Sequence, residues 1–325
     1  MNIDCGECMM YKLKNMKKNK NPLWKEKRIM RKKLASIILS TTLLLTGIFA
    51  AGCGGQAGRG NNESNDASKR TIIVATSANP RPYTYQDENG ELTGYNIELT
   101  KALFEYLPKY NLEFEATELD SCLTGLSAGR YQIVANNLGY KDERAELYIY
   151  QGPLNKSTRI IALRKGLTGI NSLLDLAGYI TECEPQIAET GYLEAYYNAH
   201  KELNKEDIHY TEKQPGAQYQ DLYDGTVDFL LSSLESFKSY TEEFGYDFEY
   251  YVLSQEENEE LKAGLELPYV YFCLSPDETQ LAKDLTEAMK QYKESGKWGE
   301  LTTKWFGEDV SPSLEDINYW DKVVR

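Results

Sequence analysis

The sequence predicts an α/β protein of two lobes, each a mainly parallel sheet flanked by helices. Two observations lead to this. From Thr71 to Ala135, short β-rich apolar runs alternate with helical patterns as strand, helix, strand, helix, strand, a parallel, right-handed unit. From Arg159 to Ser232 the same alternation starts afresh, so two such series are joined mid-chain. Roughly 255 residues carry this pattern, enough for one large or two modest α/β domains.

Taken in order, Thr71–Thr76 reads as a buried strand and Ser77–Asp87 as a loop carrying Pro80, Pro82, Tyr83 and Tyr85. Glu88-Asn89-Gly90 is a hairpin-like turn, and Gly94 leads into a helix whose Tyr95, Leu99, Ala102 or Leu103, and Tyr106 recur at helical spacing. Glu113–Leu119 is a second strand, Asp120 an N-cap, and Ser121–Ala128 a helix closed by Gly129. Tyr131–Ala135 is the central strand. The second series has strands at Arg159–Leu163, Tyr179–Glu182, Ile208–Glu212 and Val227–Ser232. Between them lie a short capped helix at Asn171–Gly178 and helices near Tyr192–His200 and Tyr219–Tyr223. Tyr269–Leu274 is a late strand, and Leu281, Leu285, Met289 and Tyr292 mark one face of a long amphipathic helix. Trp298, Trp305 and Phe306 form a packed end.

Ahead of the folded part, Met30-Arg31-Lys32-Lys33 opens a basic stretch, Leu34–Ala51 is uncharged and mostly apolar, and Ala50-Ala51-Gly52-Cys53 closes it. That order is a secretory signal of the lipoprotein type, with Cys53 as the lipidated residue; the rival is a transmembrane anchor. Residues 1–29 fit neither signal nor domain, and Met30 is a candidate true start. Gly54–Arg70, rich in Gly, Asn and Ser, reads as a flexible tether. The chain carries a net charge of −14, yet its first 53 residues hold 11 Lys and Arg against 3 Asp and Glu, so the remainder is strongly acidic. Such a surface repels phosphate, and no nucleic acid partner is expected. Cys122, Cys183 and Cys273 lie in or beside apolar runs and read as buried thiols, while His200 and His209 lack partners at metal-ligand spacing. No metal and no cofactor is expected.

The stretch Ala128–Arg144 joins a helix end, a buried strand and a polar loop closing on one arginine. Asn136, Asn137 and Gly139 stand at the carboxyl end of the strand, where open α/β sheets bind ligands. Arg144 offers a planar fork of donors suited to a carboxylate; the alternative is a loop arginine in a surface salt bridge.

In the order and spacing of its motifs, the chain resembles the extracellular solute-binding proteins of ABC importers for polar amino acids. The resemblance covers roughly Thr71–Gly307 and rests on Pro82-Tyr83, Leu92-Thr-Gly-Tyr-Asn-Ile-Glu-Leu99, Leu126-Ser-Ala-Gly-Arg-Tyr131 and Asp142-Glu-Arg144. Leu173-Leu-Asp-Leu-Ala-Gly178, Asp224-Gly-Thr-Val-Asp228 and Gly296-Lys-Trp-Gly-Glu-Leu-Thr-Thr-Lys-Trp-Phe-Gly307 extend it. The Ala135–Gly139 loop looks most like the cystine-binding branch. The resemblance implies a type II periplasmic-binding-protein-like fold joined by a two-crossover hinge, with lobe 1 at 71–153 and 272–310, lobe 2 at 157–268, and a C-terminal tail at 311–325. It places the carboxylate clamp on Arg144, ligand-facing loop positions on Asn137, Leu138 and Gly139, and the family's aromatic wall positions on Tyr83, for which packing within the lobe is the equal alternative, and on Leu119, whose aliphatic side chain does not suit stacking. The acids that meet a ligand's ammonium in the family fall on Ser77 and Ser233 here. Glu235, two residues on, reads as a solvated helix-start glutamate, the alternative being a substitute for the missing acid. The lobe 2 turn facing the carboxylate reads Pro185-Gln-Ile-Ala-Glu189, with Ala188 and Glu189 as its ligand-facing residues.

The function implied is a monomeric binding protein, held at the extracellular face of the membrane by lipid, that closes on a small polar ligand and docks on an ABC permease. Cystine is one such ligand; a modified amino acid, a small peptide or another carboxylate is the alternative, as is an orphan sensor component. A dehydratase-like enzyme on this scaffold would need an acid/base residue poised in the cleft, and no histidine lies near the motif loops, so the chain is expected not to be an enzyme.

Overall fold

Two five-stranded sheets carry the fold in the computed structural model, which describes residues 68–185, 187–261 and 269–323. The first holds β1 (Arg70–Thr76), β4 (Tyr110–Ala116), β5 (Ile133–Leu138), β6 (Ile149–Gln151) and β12 (Tyr271–Leu274) in the order β4-β1-β5-β12-β6. The second holds β7 (Arg159–Leu163), β8 (Thr181–Cys183), β9 (Ile208–Tyr210), β10 (Phe229–Ser233) and β11 (Glu249–Val252) in the order β11-β7-β10-β8-β9. A small hairpin pairs β2 (Tyr85–Gln86) with β3 (Leu92–Thr93). In each large sheet one strand opposes the rest: β12 runs against β5 and β6, and β7 runs against β10 and β11.

The period-2 pattern of the strands explains the layers. In lobe 1, Ile72, Val74, Ile133 and Phe272 face a core made with α1 (Tyr95–Phe104), α8 (Thr279–Glu294) and α9 (Lys297–Phe306). Their neighbours Ala75, Val134, Tyr271 and Cys273 face the other side, toward Cys122 and Leu126 of α2 (Leu119–Ser127). Lobe 2 repeats the scheme. Ile161, Leu163 and Phe229 face Leu193 and Tyr196 of α4 (Ala188–Ala199), while Ile160, Ala162 and Leu230 face α5 (Pro215–Asp224) and α6 (Leu234–Phe244).

The chain passes between lobes twice, and the two passes pair with each other. Lys156 and Tyr269 form an antiparallel bridge, and the Leu154 N–H donates to the Val270 carbonyl at 3.0 Å. Buried Trp298 on α9 donates to Tyr95 Oη at 2.9 Å, and that hydroxyl donates to the Leu154 carbonyl at 2.9 Å. The packed aromatic end of the sequence thus anchors the crossover. Gly94 is needed for a different reason: at φ 116, a Cβ there would lie 2.4 Å from the Tyr83 carbonyl oxygen, where the loop lies on the start of α1.

Several expectations need correction. The second strand covers Tyr110–Ala116 rather than Glu113–Leu119, because Tyr110, Leu112 and Phe114 alternate onto the core, and Glu118 rather than Asp120 precedes the helix that already includes Leu119. The central strand runs on through polar Asn136 and Asn137 to Leu138. Arg144 sits on a short helix, α3 (Asp142–Ala145), not in open loop. The strands β6 and β11 and the helix α7 (Gln255–Leu261) have no counterpart in the sequence pattern, and α6 was expected only as a helix start at Glu235. Residues 311–325, expected as a tail, include α10 (Leu314–Val323), whose Trp320 stacks on Tyr271 at 4.2 Å and donates to the Tyr150 carbonyl at 3.3 Å. The leader, the signal segment, Cys53 and most of the tether lie outside the described residues. Among those that are described, no helix is long and apolar enough to cross a membrane.

Candidate functional site

A cavity of about 640 Å³ lies between the lobes, at the carboxyl ends of β1, β5, β8 and β10. Lobe 1 supplies its wall through two loops. Ser77 follows β1, and its side chain is spent within its own lobe: Oγ lies 2.7 Å from Asn136 Oδ1 and 2.9 Å from the Asn79 carbonyl. Asn136 Oδ1 also accepts from the Ser77 N–H at 2.8 Å and from Thr76 Oγ1 at 3.2 Å. Ser77 therefore fastens the loop to β5 and lines the cavity without offering a carboxylate.

At the end of β5, the five residues Val134 to Leu138 span the register that the three residues Cys273 to Tyr271 cover on β12. The resulting bulge puts Asn137 at φ 50, a left-handed conformation that asparagine tolerates better than most side chains. Asn137 lines the cavity, and its buried Oδ1 has no hydrogen-bond partner among the described residues. Leu138, Gly139 and Leu119 also line the cavity.

Arg144 is buried and lines the same cavity. Its Nη1 donates to the Gly139 carbonyl at 3.2 Å and lies 3.4 Å from Tyr150 Oη. That hydroxyl donates to the same carbonyl at 3.1 Å and accepts from the Lys141 N–H at 3.0 Å. The Tyr150 ring is packed among Tyr140, Tyr271 and Trp320. The guanidinium is thus pre-oriented from beneath by a phenol set in the core, which suits it to a carboxylate. It is not a surface ion pair.

From lobe 2, Ala188 and Glu189 open α4 and face lobe 1. A Cβ on Gly139 would stand 3.0 Å from Ala188 Cβ and 3.4 Å from Glu189 Oε1, so this is a point where the lobes close on each other. Ser233 caps α6, its Oγ accepting from the Ser236 N–H at 3.1 Å, and it lines the cavity as a neutral group.

Tyr83 and Glu235 lie outside the cavity lining. Of the two readings of Tyr83, the structure has the packing one: its ring is fully buried against Phe306 at 5.4 Å, and its hydroxyl donates across the lobes to Glu235 Oε2 at 3.2 Å. Glu235 is correspondingly not a solvated helix-start acid. It is buried, also accepts from the Thr158 N–H at 3.3 Å, and burial raises its carboxyl above the ordinary range. Both belong to an inter-lobe latch. Asn79 Nδ2 donates to Gln214 Oε1 at 2.7 Å, Tyr240 Oη donates to Asn79 Oδ1 at 2.9 Å, and Ser236 Oγ donates to the Arg81 carbonyl at 2.9 Å. Arg81 Nε pairs with Glu243 Oε2 at 3.0 Å. At the other edge Tyr192 Oη donates to the Tyr140 carbonyl and Lys141 Nζ to the Ile187 carbonyl at 3.4 Å.

Arg159 was not anticipated. It lines the cavity from the amino end of β7 and stands in register opposite Ser233 of β10. Because β7 runs against β10, its first residue reaches the cleft that the other strands reach with their last. The signal was present as one charge opening an otherwise apolar strand, Arg-Ile-Ile-Ala-Leu, but taken as one more parallel strand, β7 would point that end away from the cleft.

Residues 72–308 match the family described as bacterial extracellular solute-binding proteins, family 3. The L-cystine-binding protein TcyJ of Bacillus subtilis is 27% identical over 274 residues, 83% of this chain and 96% of that protein. A probable amino-acid ABC transporter-binding protein of Haemophilus influenzae is 26% identical over 281 residues, 84% and 98% of the two chains. Among solved structures, one from work on glutathione import via GshT and the cystine ABC importer TcyBC of Streptococcus mutans superposes with a TM-score of 0.68 at 28% identity, covering 76% of this chain and 99% of that one.

Proposed function

We propose, for a chain that belongs to the bacterial extracellular solute-binding proteins of family 3, that it captures L-cystine or a related amino-acid ligand by hinge closure and hands it to an ABC permease. Membership alone makes it an amino-acid transporter's binding protein and not an enzyme. The observation that carries the finer reading is Arg144, a buried guanidinium held from beneath by Tyr150 and the Gly139 carbonyl, in the cavity where the lobes meet. The names of the Bacillus subtilis relatives TcyJ and TcyA favour cystine among amino acids. In this reading the ligand's α-carboxylate sits on Arg144, Asn137 Oδ1 and Glu189 accept from its ammonium, and Ser77 and Ser233 line the cavity as neutral groups. The ligand touches both lobes and so shifts the open–closed equilibrium toward closed. The Ala50-Ala51-Gly52-Cys53 motif supports lipidation at Cys53, which would keep a monomer at the extracellular face beside its permease.

A thermal-shift screen of the full-length chain in detergent, against the amino acids, cystine and short peptides, tests this. A ligand that binds only the folded state raises the melting temperature by mass action. A rise with cystine is expected; no rise with any amino-acid-derived ligand contradicts the proposal.

A further inference from the structure

The cavity holds a second buried guanidinium for which a ligand with one carboxylate has no use. Arg159 is 9% exposed, lines the cavity from lobe 2, and its Nε has no hydrogen-bond partner among the described residues. Glu189 Oε1 stands 3.7 Å from its Nη2, beyond hydrogen-bond length, and the Tyr192 ring lies 5.6 Å from its guanidinium carbon. A buried cation with an unmet donor is costly unless something supplies the acceptor. The latch does not supply it, since neither the Tyr83–Glu235 nor the Asn79–Gln214 contact involves Arg159. Arg144 and Arg159 reach the cavity from opposite lobes, and Glu189 acts electrostatically on Arg144 as well. Glu189 is therefore one carboxylate set against two guanidinium groups, and on Arg159 it neither reaches Nε nor comes within hydrogen-bond length. Size points the same way: about 640 Å³ lies well inside the range of about 300–1,000 Å³ for pockets that bury drug-sized ligands.

We propose that Arg159 is a second carboxylate clamp, and that the ligand carries a second carboxylate-bearing end, as a disulfide-linked pair of amino acids or a short peptide does. This rests on the proposed function, in which the first carboxylate sits on Arg144. On binding, the second carboxylate takes the Arg159 fork and frees Glu189 to accept from an ammonium.

Calorimetric titration of the full-length chain in detergent tests this with L-cystine and glutathione as two-carboxylate probes and S-methyl-L-cysteine as the one-carboxylate probe. The wild type is expected to bind at least one two-carboxylate probe about tenfold or more tightly than S-methyl-L-cysteine. Arg159→Gln should shrink that preference to within about threefold, and Arg159→Lys, which keeps the charge but loses the fork, should give an intermediate value. Melting temperatures of the unliganded variants check folding, and if Arg159→Gln does not fold, Arg159→Lys decides alone. Whichever two-carboxylate probe binds more tightly separates the amino-acid pair from the peptide. Equal wild-type affinity for all three probes, or an unchanged preference in the folded variants, overturns the second clamp and leaves the proposed function standing. A wild type that binds none of the three overturns the second clamp, and overturns the proposed function as well only if no amino acid raises the melting temperature in the thermal-shift screen.

Discussion

Burial sets the charge of individual groups around the cleft. Glu184, which lines the cavity at the end of β8, has its carboxyl pushed up to about 6, mainly by burial and further by Glu118; Gln218 Nε2, donating at 3.1 Å, holds it down only in part. The folded protein therefore binds this proton more tightly than the unfolded chain, whose value is near 4.5. Stability from this group is fully present below the unfolded value and is lost as pH rises through about 6. Glu184→Gln, which cannot lose a proton, should gain in melting temperature on the wild type as pH is raised across that window. Parallel curves throughout would show that the site does not hold the proton. The thiols of Cys122, Cys183 and Cys273 are each pushed up to about 12 by burial, as inert core groups should be.

At the scale of elements, the cavity depends on two helices other than the one that carries Arg144. The start of α4 meets Gly139 so closely that a large side chain there would prop the lobes apart. Gly139→Leu should leave the melting temperature of the unliganded protein nearly unchanged while weakening ligand binding about tenfold or more. A variant that binds as the wild type does would show that closure tolerates the wedge. The other helix, α10, is stapled to lobe 1 by Trp320, which is buried against Tyr271 and bonded to the Tyr150 carbonyl. Trp320→Ala should cost about 3–5 kcal/mol of stability, measured by denaturant unfolding, and should loosen Tyr150 beneath Arg144. Much of this was legible in the sequence. Period-2 and period-3.6 patterns located the apolar strands and the face Leu281, Leu285, Met289 and Tyr292, all of them buried. What pattern could not show was direction and tertiary partnership. Opposed strands look like parallel ones, so Arg159 went unnoticed at the amino end of β7. Tyr83 looks the same whether it lines a cavity or fills a core, and Glu235 gives no local sign that Tyr83 and Thr158 will cover it. Asn136 and Asn137 read as loop residues because a bulge can carry polar residues within a strand.

At the scale of the whole molecule, the lobes are joined by paired crossovers and held together by a latch made largely of neutral hydrogen bonds. Tyr240 makes two of its bonds through one hydroxyl, donating to Asn79 Oδ1 and accepting from the Arg81 N–H at 3.2 Å. Tyr240→Phe keeps the buried ring and removes both bonds, each worth about 1 kcal/mol. The open form should gain population and the apparent affinity should fall by about tenfold, with a larger radius of gyration for the unliganded protein in solution scattering. An unchanged radius and affinity would mean that the latch does not govern closure. Closure matters only if something is captured, and that claim turns on one side chain. The most direct measurement is calorimetric titration of L-cystine into the full-length wild type and into Arg144→Ala. If Arg144 is the clamp, the wild type binds and the variant loses about 2–5 kcal/mol of binding free energy, at least about thirtyfold in Kd. If the folded variant binds cystine as tightly as the wild type, Arg144 does not hold the ligand and the account of this cleft is wrong.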